Sequence, residues 1–186
     1  MVSLFTKIPV PEALSIITNL VDEETLNLIS ISLSSTFFSY NGIIYEQTEG
    51  ITMGSSLSPV VTNICMEHFE AKALNSWHLK PKCWFRFVDD TFVIWQHGHQ
   101  ALHAFLDHLN SITPLIQYTM EIESNRSLPF LDVLVSCLSD DTLSHHVYRK
   151  KTHMDHYLHA CSYDHPSQKF GVLKTLVSRA LKILAP

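Results

Sequence analysis

Hydrophobic and polar positions alternate along the chain with the two periods that distinguish helices from strands. Ser58 followed by Pro59 is a favoured pair for a helix start, so we expect Ser58 to be an N-cap. A run of acids opens another helix, which suits the positive end of a helix dipole. Apolar side chains spaced three and four residues apart predict helices at 9–20, from Asp22 onward, from Ser58 onward, at 100–111 and at 166–184.

Short runs rich in Phe, Val, Ile and Trp predict strands between these helices. The predicted strands are 43–45, 83–88, 91–95, 116–122, 130–136 and 143–148. Asn41-Gly42 marks a turn before the first strand, because both residues tolerate positive φ. Only Asp89-Asp90 separates the second strand from the third, which predicts a hairpin with two acids at its tip. Helices mixed with locally paired strands place the fold in the α+β class.

The composition is that of a folded protein, and its charge is divided unevenly. The 186 residues are 46% hydrophobic and 17% charged, which excludes a disordered or collagen-like chain. The formal net charge of −5 excludes an overall basic field that would drive non-specific nucleic-acid binding. Residues 1–120 carry 11 acids and 5 bases, whereas residues 121–186 carry 7 acids and 8 bases. The second part suits a polyanion, and a solvated helical face explains its charge equally well.

The sequence offers no disulfide pattern and no membrane segment. Its four cysteines form no Cys-x-x-Cys pair, so we expect reduced thiols and a nuclear or cytoplasmic location. No apolar run approaches the roughly 18 residues of a membrane span, and no basic-then-apolar leader follows Met1. Six histidines crowd residues 145–165 without the two separated ligand pairs of a structural zinc site, so a polar surface explains them better. The oligomeric state stays open.

Asp89-Asp90 is the clearest candidate for chemistry. A two-residue hairpin turn favours Asn-Gly or Asp-Gly, and adjacent carboxylates repel each other unless a cation lies between them. Oxygen-rich sites of this kind suit Mg²⁺. The alternative is a solvated turn without a ligand, and the hairpin alone does not decide between the two.

Two motifs resemble those of reverse transcriptases and stand in the same order. Phe87-Val88-Asp89-Asp90, between apolar strands, resembles the Tyr/Phe-x-Asp-Asp box of these enzymes. Upstream at a fitting distance, the segment 50–59, GITMGSSLSP, resembles their Gly-x-x-x-Gly-Ser-Pro-Leu-Ser-Pro loop. The segments that are similar to the Penelope-like branch of retroelement polymerases are 3–9, 128–132 and 147–158. The resemblance therefore spans almost the whole chain.

The resemblance implies a partial palm over residues 1–150, with an antiparallel sheet, the Asp-Asp hairpin and helices packed on one face. Residues 151–186 would be a basic C-terminal helical segment with an amphipathic helix, at the start of a thumb or a helix-turn-helix-like unit. The implied reaction is RNA-templated DNA synthesis by two-metal nucleotidyl transfer. It implies an RNA template, a DNA primer, deoxynucleotides and Mg²⁺ or Mn²⁺. Asp89 is then a metal ligand, and Asp90 is a second ligand or a support.

Further residues match nucleotide- or template-binding positions of the family. They are Phe5, Gly50, Gly54, Ser55, Arg149 and Lys150. Phe5 matches the aromatic gate that clashes with a ribose 2′-OH, and core packing explains a Phe there equally well. Gly50 and Gly54 would let the backbone approach a base or nucleotide, and the alternative is a loop that needs positive φ. Ser56 and Lys151 depart from the family, which has Pro at both positions.

The family's other metal-binding Asp lies five residues before the aromatic that matches Phe5, which here is the position immediately before Met1. We therefore expect a fragment that lacks this carboxylate, most of a palm strand and the fingers segment. Loss of one of two metal-bridging carboxylates costs several kcal/mol of transition-state stabilisation. We expect this polypeptide alone to be inactive or nearly so. The alternative is a non-catalytic palm-like module that binds nucleic acid or a protein.

Overall fold

The chain forms two compact units, Met1–Met120 and Glu121–Pro186. A computed structural model describes residues 4–150, 152, 157–159 and 161–184. The first unit is the acidic part of the chain and the second is its basic part, so the charge changes sign where the units divide. The division at residue 150 follows the family resemblance and stays a prediction.

The first unit mixes helices with two-stranded antiparallel sheets. Its elements are α1 (Leu4–Lys7), α2 (Val10–Ile17), α3 (Glu23–Ser34), β1 (Phe37–Tyr40), β2 (Ile43–Glu46), α4 (Ser58–Ser76), β3 (Cys83–Phe87), β4 (Asp90–Ile94) and α5 (Gly98–Ile112). β1 pairs with β2, and β3 pairs with β4. This arrangement is the mixture of helices and small antiparallel sheets that the α+β class predicts.

The core of the first unit lies along one side of α4. Buried side chains recur there at helical spacing and pack with the buried faces of α2 and α5. The buried apolar residues of α4 are Val61, Cys65, Met66, Phe69 and Ala73. Full burial of a large apolar side chain stabilises a fold by about 1.5–3 kcal/mol. The rings of Trp95 and Phe105 stack beside this core with their centroids 4.9 Å apart.

The two helix starts that the sequence marks behave differently. The carboxylate of Asp22 accepts a hydrogen bond from the Thr25 amide at 2.8 Å, and this contact holds the pKa of Asp22 below its usual value. The predicted start of α3 at Asp22 is therefore confirmed. The predicted N-cap role of Ser58 is wrong, because Leu57 is the N-cap of α4. Ser58 donates its hydroxyl to the carbonyl oxygen of Thr52, so its side chain holds the preceding loop.

The turn predicted at Asn41-Gly42 is confirmed. These residues join the last pair of the β1–β2 ladder, Tyr40 and Ile43, and have φ of +50° and +77°. Such a two-residue turn matches the twist of the strands that it connects. The sequence reasoning identified β2 but missed its partner β1.

The second unit is a three-stranded antiparallel sheet with one long helix. Its elements are β5 (Ser127–Phe130), β6 (Val133–Cys137), β7 (Leu143–Val147) and α6 (Pro166–Leu184), and β6 is the central strand. The single strand predicted at 130–136 is confirmed only from Val133 onward, as β6, because Phe130 is the last residue of β5. Leu131 and Asp132 form a turn between β5 and β6, because Leu131 adopts φ of +55°.

The predicted strand at 116–122 is wrong. This segment runs as irregular chain after α5, and Asn110 takes the place of a strand partner. The Asn110 side chain accepts from the amide of Tyr118 at 2.7 Å and donates to its carbonyl oxygen at 3.1 Å. Tyr118 is thereby fixed in the core beside Phe69, with the two ring centroids 5.8 Å apart.

The helix predicted at 166–184 is confirmed as α6, which contacts β7. One stripe of its apolar residues is half-buried, and a neighbouring stripe is exposed. The half-buried residues are Val172, Leu176, Ala180 and Ile183. The exposed residues are Phe170, Leu173, Val177, Leu181 and Leu184. In the part of the chain that the structure describes, no helix is both long enough and apolar enough to cross a bilayer.

We expect Cys65 to resist alkylation while the protein is folded. Burial, with Glu12 adding in the same direction, raises the pKa of the Cys65 thiol to about 11, so little reactive thiolate exists at pH 8. Iodoacetamide at pH 8, followed by peptide mass spectrometry, should modify the exposed Cys161 first and Cys65 only after denaturation. Equal labelling rates for the two cysteines would contradict this account of the core.

Candidate active site

The turn of the β3–β4 hairpin is shifted by one residue from the predicted tip. Phe87 pairs with Asp90, so the two turn residues are Val88 and Asp89, and Asp90 is the first residue of β4. The prediction that both acids form the tip is therefore corrected for Asp90. Both aspartates nevertheless lie at the end of the hairpin, and both are exposed.

Val88 adopts a backbone conformation that its side chain disfavours. Its φ is +56°, in the left-handed region, and a β-branched residue is a rare occupant there. The first central position of a two-residue turn with positive φ usually holds glycine. A residue in this region costs about 1–3 kcal/mol and persists only where neighbouring contacts hold it. The backbone that presents Asp89 is thus strained.

The two faces of the hairpin have opposite environments. Because side chains alternate along a strand, Trp84 and Arg86 lie on one face, and Phe85 and Phe87 lie on the other. Phe85 is 64% exposed and Phe87 is 59% exposed. Asp90 pairs with Phe87 and so shares the exposed aromatic face.

The other face is bonded to α4 through Glu70. One carboxylate oxygen, Oε1, accepts from Trp84 Nε1 and from Arg86 Nε, each at 2.8 Å. The Arg86 side chain is only 9% exposed and that of Glu70 only 14%, so this ion pair is largely buried. Asn63, which also lies on α4, accepts from Arg86 Nη2 at 3.0 Å. These hydrogen bonds compensate for the burial of the charged guanidinium.

Tyr118 borders the same ion pair. Burial raises the pKa of its phenol, Glu70 acts in the same direction, and Arg86 opposes them. Its hydroxyl is buried without a hydrogen-bond partner among the described residues. The side chains beneath the hairpin are therefore buried, and a charge there needs a close partner.

The first glycine of the 50–59 loop packs against α1. Gly50 has φ of +74°, and a Cβ placed on it would lie 2.4 Å from the carbonyl oxygen of Thr6. The next amide, of Ile51, donates to the carbonyl oxygen of Phe5 at 2.8 Å. The structure thus brings Phe5 and Gly50 together, and Gly50 has a packing role that requires the absence of a side chain.

The rest of the loop combines open space beside Gly54 with hydrogen bonds from its other side chains. Gly54 has φ of +100°, and a Cβ there would meet no atom within 4 Å. The Ser55 hydroxyl accepts from the Leu57 amide at 3.3 Å, just before α4 begins. Thr52 donates its hydroxyl to Gln47 Oε1 at 3.1 Å. These contacts fix the path of the loop into α4 and leave Gly54 beside open space.

Arg149 and Lys150 belong to the second unit and follow β7. Both are exposed, and Arg149 Nη1 donates to the Tyr157 hydroxyl at 3.1 Å. The histidines at 153 and 156, part of the His-rich stretch, lie outside the described residues.

A second Asp-containing turn in this unit offers a comparison with the first. Leu131, at φ of +55°, precedes Asp132 as Val88 precedes Asp89. The Asp132 carboxylate accepts from Arg179 of α6 at 2.6 Å, and its carbonyl oxygen accepts from the Tyr148 amide at 2.7 Å. Here the aspartate has a structural role.

Asp89 and Asp90 fit a divalent cation as donors. Carboxylate oxygens are the ligands that Mg²⁺ and Mn²⁺ prefer, and Mg²⁺ is commonly held by one or two carboxylates together with waters and substrate phosphates. Within the described ranges, no group of three or more His, Cys, Asp or Glu side chains is placed to hold a metal. Their chemistry therefore suits a divalent cation, and no metal site is complete among the described residues.

Comparison with protein-family models identifies the family of the chain. The family model described as reverse transcriptase (RNA-dependent DNA polymerase) matches residues 1–157. The chain belongs to the reverse transcriptase family. A search of curated proteins found no match. The helices and small antiparallel sheets are consistent with a partial domain of this family, whose members act on a nucleic-acid template with nucleotides and generally depend on divalent metals.

Sequence reasoning missed the contacts behind the hairpin. It assigned no role to Arg86 or to Glu70. Strand alternation could have indicated Arg86, because a charged residue on the same face as Trp84 needs a buried partner. The identity of that partner could not be predicted, since Glu70 is 16 residues earlier and on a helix.

We expect Gly50→Ala to destabilise the protein far more than Gly54→Ala. Both changes place a side chain at positive φ, which costs about 1–3 kcal/mol. Only the Gly50 change also drives a Cβ into the Thr6 backbone, so its free energy of unfolding should fall by about 4 kcal/mol or more. Urea unfolding followed by circular dichroism measures both. Similar losses for the two variants would show that the close approach at Gly50 is unimportant.

Proposed function

We propose that this chain carries the metal-binding hairpin of a Penelope-like reverse transcriptase, whose ancestral reaction is RNA-templated DNA synthesis. The observation that supports it most is the pair of exposed carboxylates, Asp89 and Asp90, at a hairpin end in a member of this family. The substrates are an RNA template, a DNA primer and deoxynucleotides, and the metal is Mg²⁺ or Mn²⁺. The proposed location is the nucleus or the cytoplasm.

The proposal gives each candidate residue a task. Bound divalent ions stabilise charge on the attacking and leaving oxygens of nucleotidyl transfer. Asp89 and Asp90 hold the ion, and Phe5 discriminates at the sugar of the nucleotide. Gly50 supports Phe5, because the Ile51 amide holds the Phe5 backbone. The remaining candidates act on nucleic acid: Gly54 and Ser55 face a base or nucleotide, and Arg149 and Lys150 contact phosphates.

Two carboxylates from one hairpin end do not complete a two-metal site. No third ligand stands with them among the residues that the structure describes. We infer that polymerase activity needs a further carboxylate, from a residue outside the described part or from another chain. The polypeptide alone is then a poor catalyst, because that ligand would stabilise the transition state.

A non-catalytic module that binds nucleic acid or a protein is the second candidate. The observation that favours it is the same lack of a third ligand beside Asp89 and Asp90 in the described ranges. Such a module needs no metal. Metal binding that requires Asp89 would therefore favour the reverse transcriptase over the module.

We expect Mn²⁺ to bind at the hairpin and Asp89→Asn to weaken that binding by about tenfold or more, because one charged oxygen ligand becomes a neutral amide. Electron paramagnetic resonance of free Mn²⁺ measures the affinity. Asp132→Asn is the matched control, since Asp132 occupies the equivalent position of the β5–β6 turn and pairs with Arg179. An Asp89→Asn variant with unchanged Mn²⁺ affinity would overturn the proposed metal site.

Primer extension on an RNA template with Mg²⁺ or Mn²⁺ tests the reaction itself. We expect incorporation close to background for this polypeptide alone. Incorporation that Asp89→Asn abolishes would support the reverse transcriptase and contradict the need for a further carboxylate. Salt-sensitive nucleic-acid binding, with neither incorporation nor Mn²⁺ binding at Asp89, would support the non-catalytic module instead.

A further inference from the structure

We propose that Arg86 is a positioning residue, which holds the Val88–Asp89 turn in one conformation by connecting its backbone to Glu70 and Asn63 of α4. The inference rests on the proposed function in one respect: the orientation of the turn matters only if Asp89 binds a ligand. The hold on the turn itself is a property of the free protein and can be measured without metal.

The guanidinium of Arg86 reaches acceptors on both elements that it would connect. Nε donates to Glu70 Oε1 at 2.8 Å, and Nη2 donates to Asn63 Oδ1 at 3.0 Å, so two contacts go to α4. Nη1 lies 3.5 Å from the carbonyl oxygen of Val88, the first residue of the turn. This last contact is long, yet its donor is charged and the side chain is 9% exposed, which strengthens the attraction.

Asn63 is itself oriented for this role. Its amide nitrogen donates to Glu67 Oε1 at 2.7 Å, which leaves its carbonyl oxygen directed to Arg86. Glu70 Oε1 also accepts from Trp84 Nε1 at 2.8 Å. Both acceptors are thus held in place by contacts other than those with Arg86. The guanidinium bonded to them therefore has little freedom to move with the turn.

The backbone conformation of Val88 explains why the turn needs this restraint. At φ of +56° its β-branched side chain opposes the conformation that the backbone adopts. Without restraint, the free energy of the turn would fall if Val88 moved to negative φ, and this movement would redirect Asp89. A charged donor at the Val88 carbonyl oxygen opposes that movement from behind the hairpin.

The β5–β6 turn has a residue in the same strained conformation, and a different arginine contact lies beside it. Leu131 has φ of +55°, and there Arg179 bonds to the carboxylate of Asp132. At the β3–β4 turn the arginine contact is to a backbone carbonyl oxygen. An arginine that donates to a backbone carbonyl oxygen can restrain the conformation of the turn directly.

Lysine cannot replace Arg86 in this role. Its single ammonium group lacks the planar fork that donates in several fixed directions, although it keeps the positive charge beside Glu70. Arg86→Lys therefore separates geometry from charge. Arg126→Lys is the matched control, because Arg126 also combines a carboxylate partner, Asp141, with a backbone carbonyl, that of Leu138.

The decisive measurement is backbone NMR relaxation dispersion on the metal-free protein. We expect Arg86→Lys to introduce microsecond-to-millisecond exchange at the amides of residues 88–90 and to leave resonances of the second unit unchanged. Arg126→Lys should leave residues 88–90 unaffected. If Arg86→Lys does not fold, Asn63→Ala removes one acceptor at an exposed position and should give a smaller exchange contribution at the same amides. Absence of exchange at residues 88–90 in the folded variant would overturn the proposal.

Mn²⁺ affinity distinguishes this inference from the function on which it rests. If Asp89→Asn weakens Mn²⁺ binding, Arg86→Lys should weaken it too, by roughly tenfold, as loss of a supporting contact commonly does. Unchanged affinity and an unchanged turn in Arg86→Lys would overturn the role of Arg86 and leave the metal site standing. Unchanged affinity in Asp89→Asn would overturn the metal site, and the exchange at residues 88–90 would still decide whether Arg86 holds the turn.

Discussion

The carboxylate of Glu70 is the point on which the candidate site depends. A two-stranded hairpin is at best marginally stable by itself, and the β3–β4 ladder has no third strand among the described residues. The hairpin is therefore attached to its unit by side chains: the ring contact of Trp95 with Phe105 at one end, and Trp84 and Arg86 at Glu70 near the turn. Removal of one partner of a buried ion pair costs about 3–5 kcal/mol, because the remaining charge is left buried without compensation, so neither Arg86 nor Glu70 can be lost alone.

Helix α4 connects the two motifs that the sequence made recognisable. Its first residue, Ser58, bonds back to the glycine loop, and Asn63 and Glu70 bond forward to the hairpin. The loop in turn lies against the backbone of α1 at Gly50. One buried helix thus sets the positions of elements that are far apart in sequence, which explains why its core face is so densely apolar.

Local chemistry allowed much of this fold to be predicted. Helical periodicity identified α4, α5 and α6, and Asn41-Gly42 identified a turn, because these signals lie within a few residues. Prediction failed where a distant contact decides the conformation. Val88 and Leu131 occupy turn positions that normally call for glycine, so the turns at Asp89 and Asp132 could not be placed from propensity. The family motifs located the aspartates, but the pairing of Arg86 with Glu70 exists only in three dimensions.

The repeated turn, an apolar residue at positive φ followed by aspartate, also has an evolutionary consequence. Asp132 is tied to Arg179 and serves the fold, whereas the exposed Asp89 is presented at the end of a hairpin. If Asp89 binds metal as we propose, selection for that function acts on Asp89, whereas selection for the fold alone is enough to preserve the bond of Asp132 to Arg179. A descendant without the function would therefore keep the Asp132–Arg179 pair for as long as it folds.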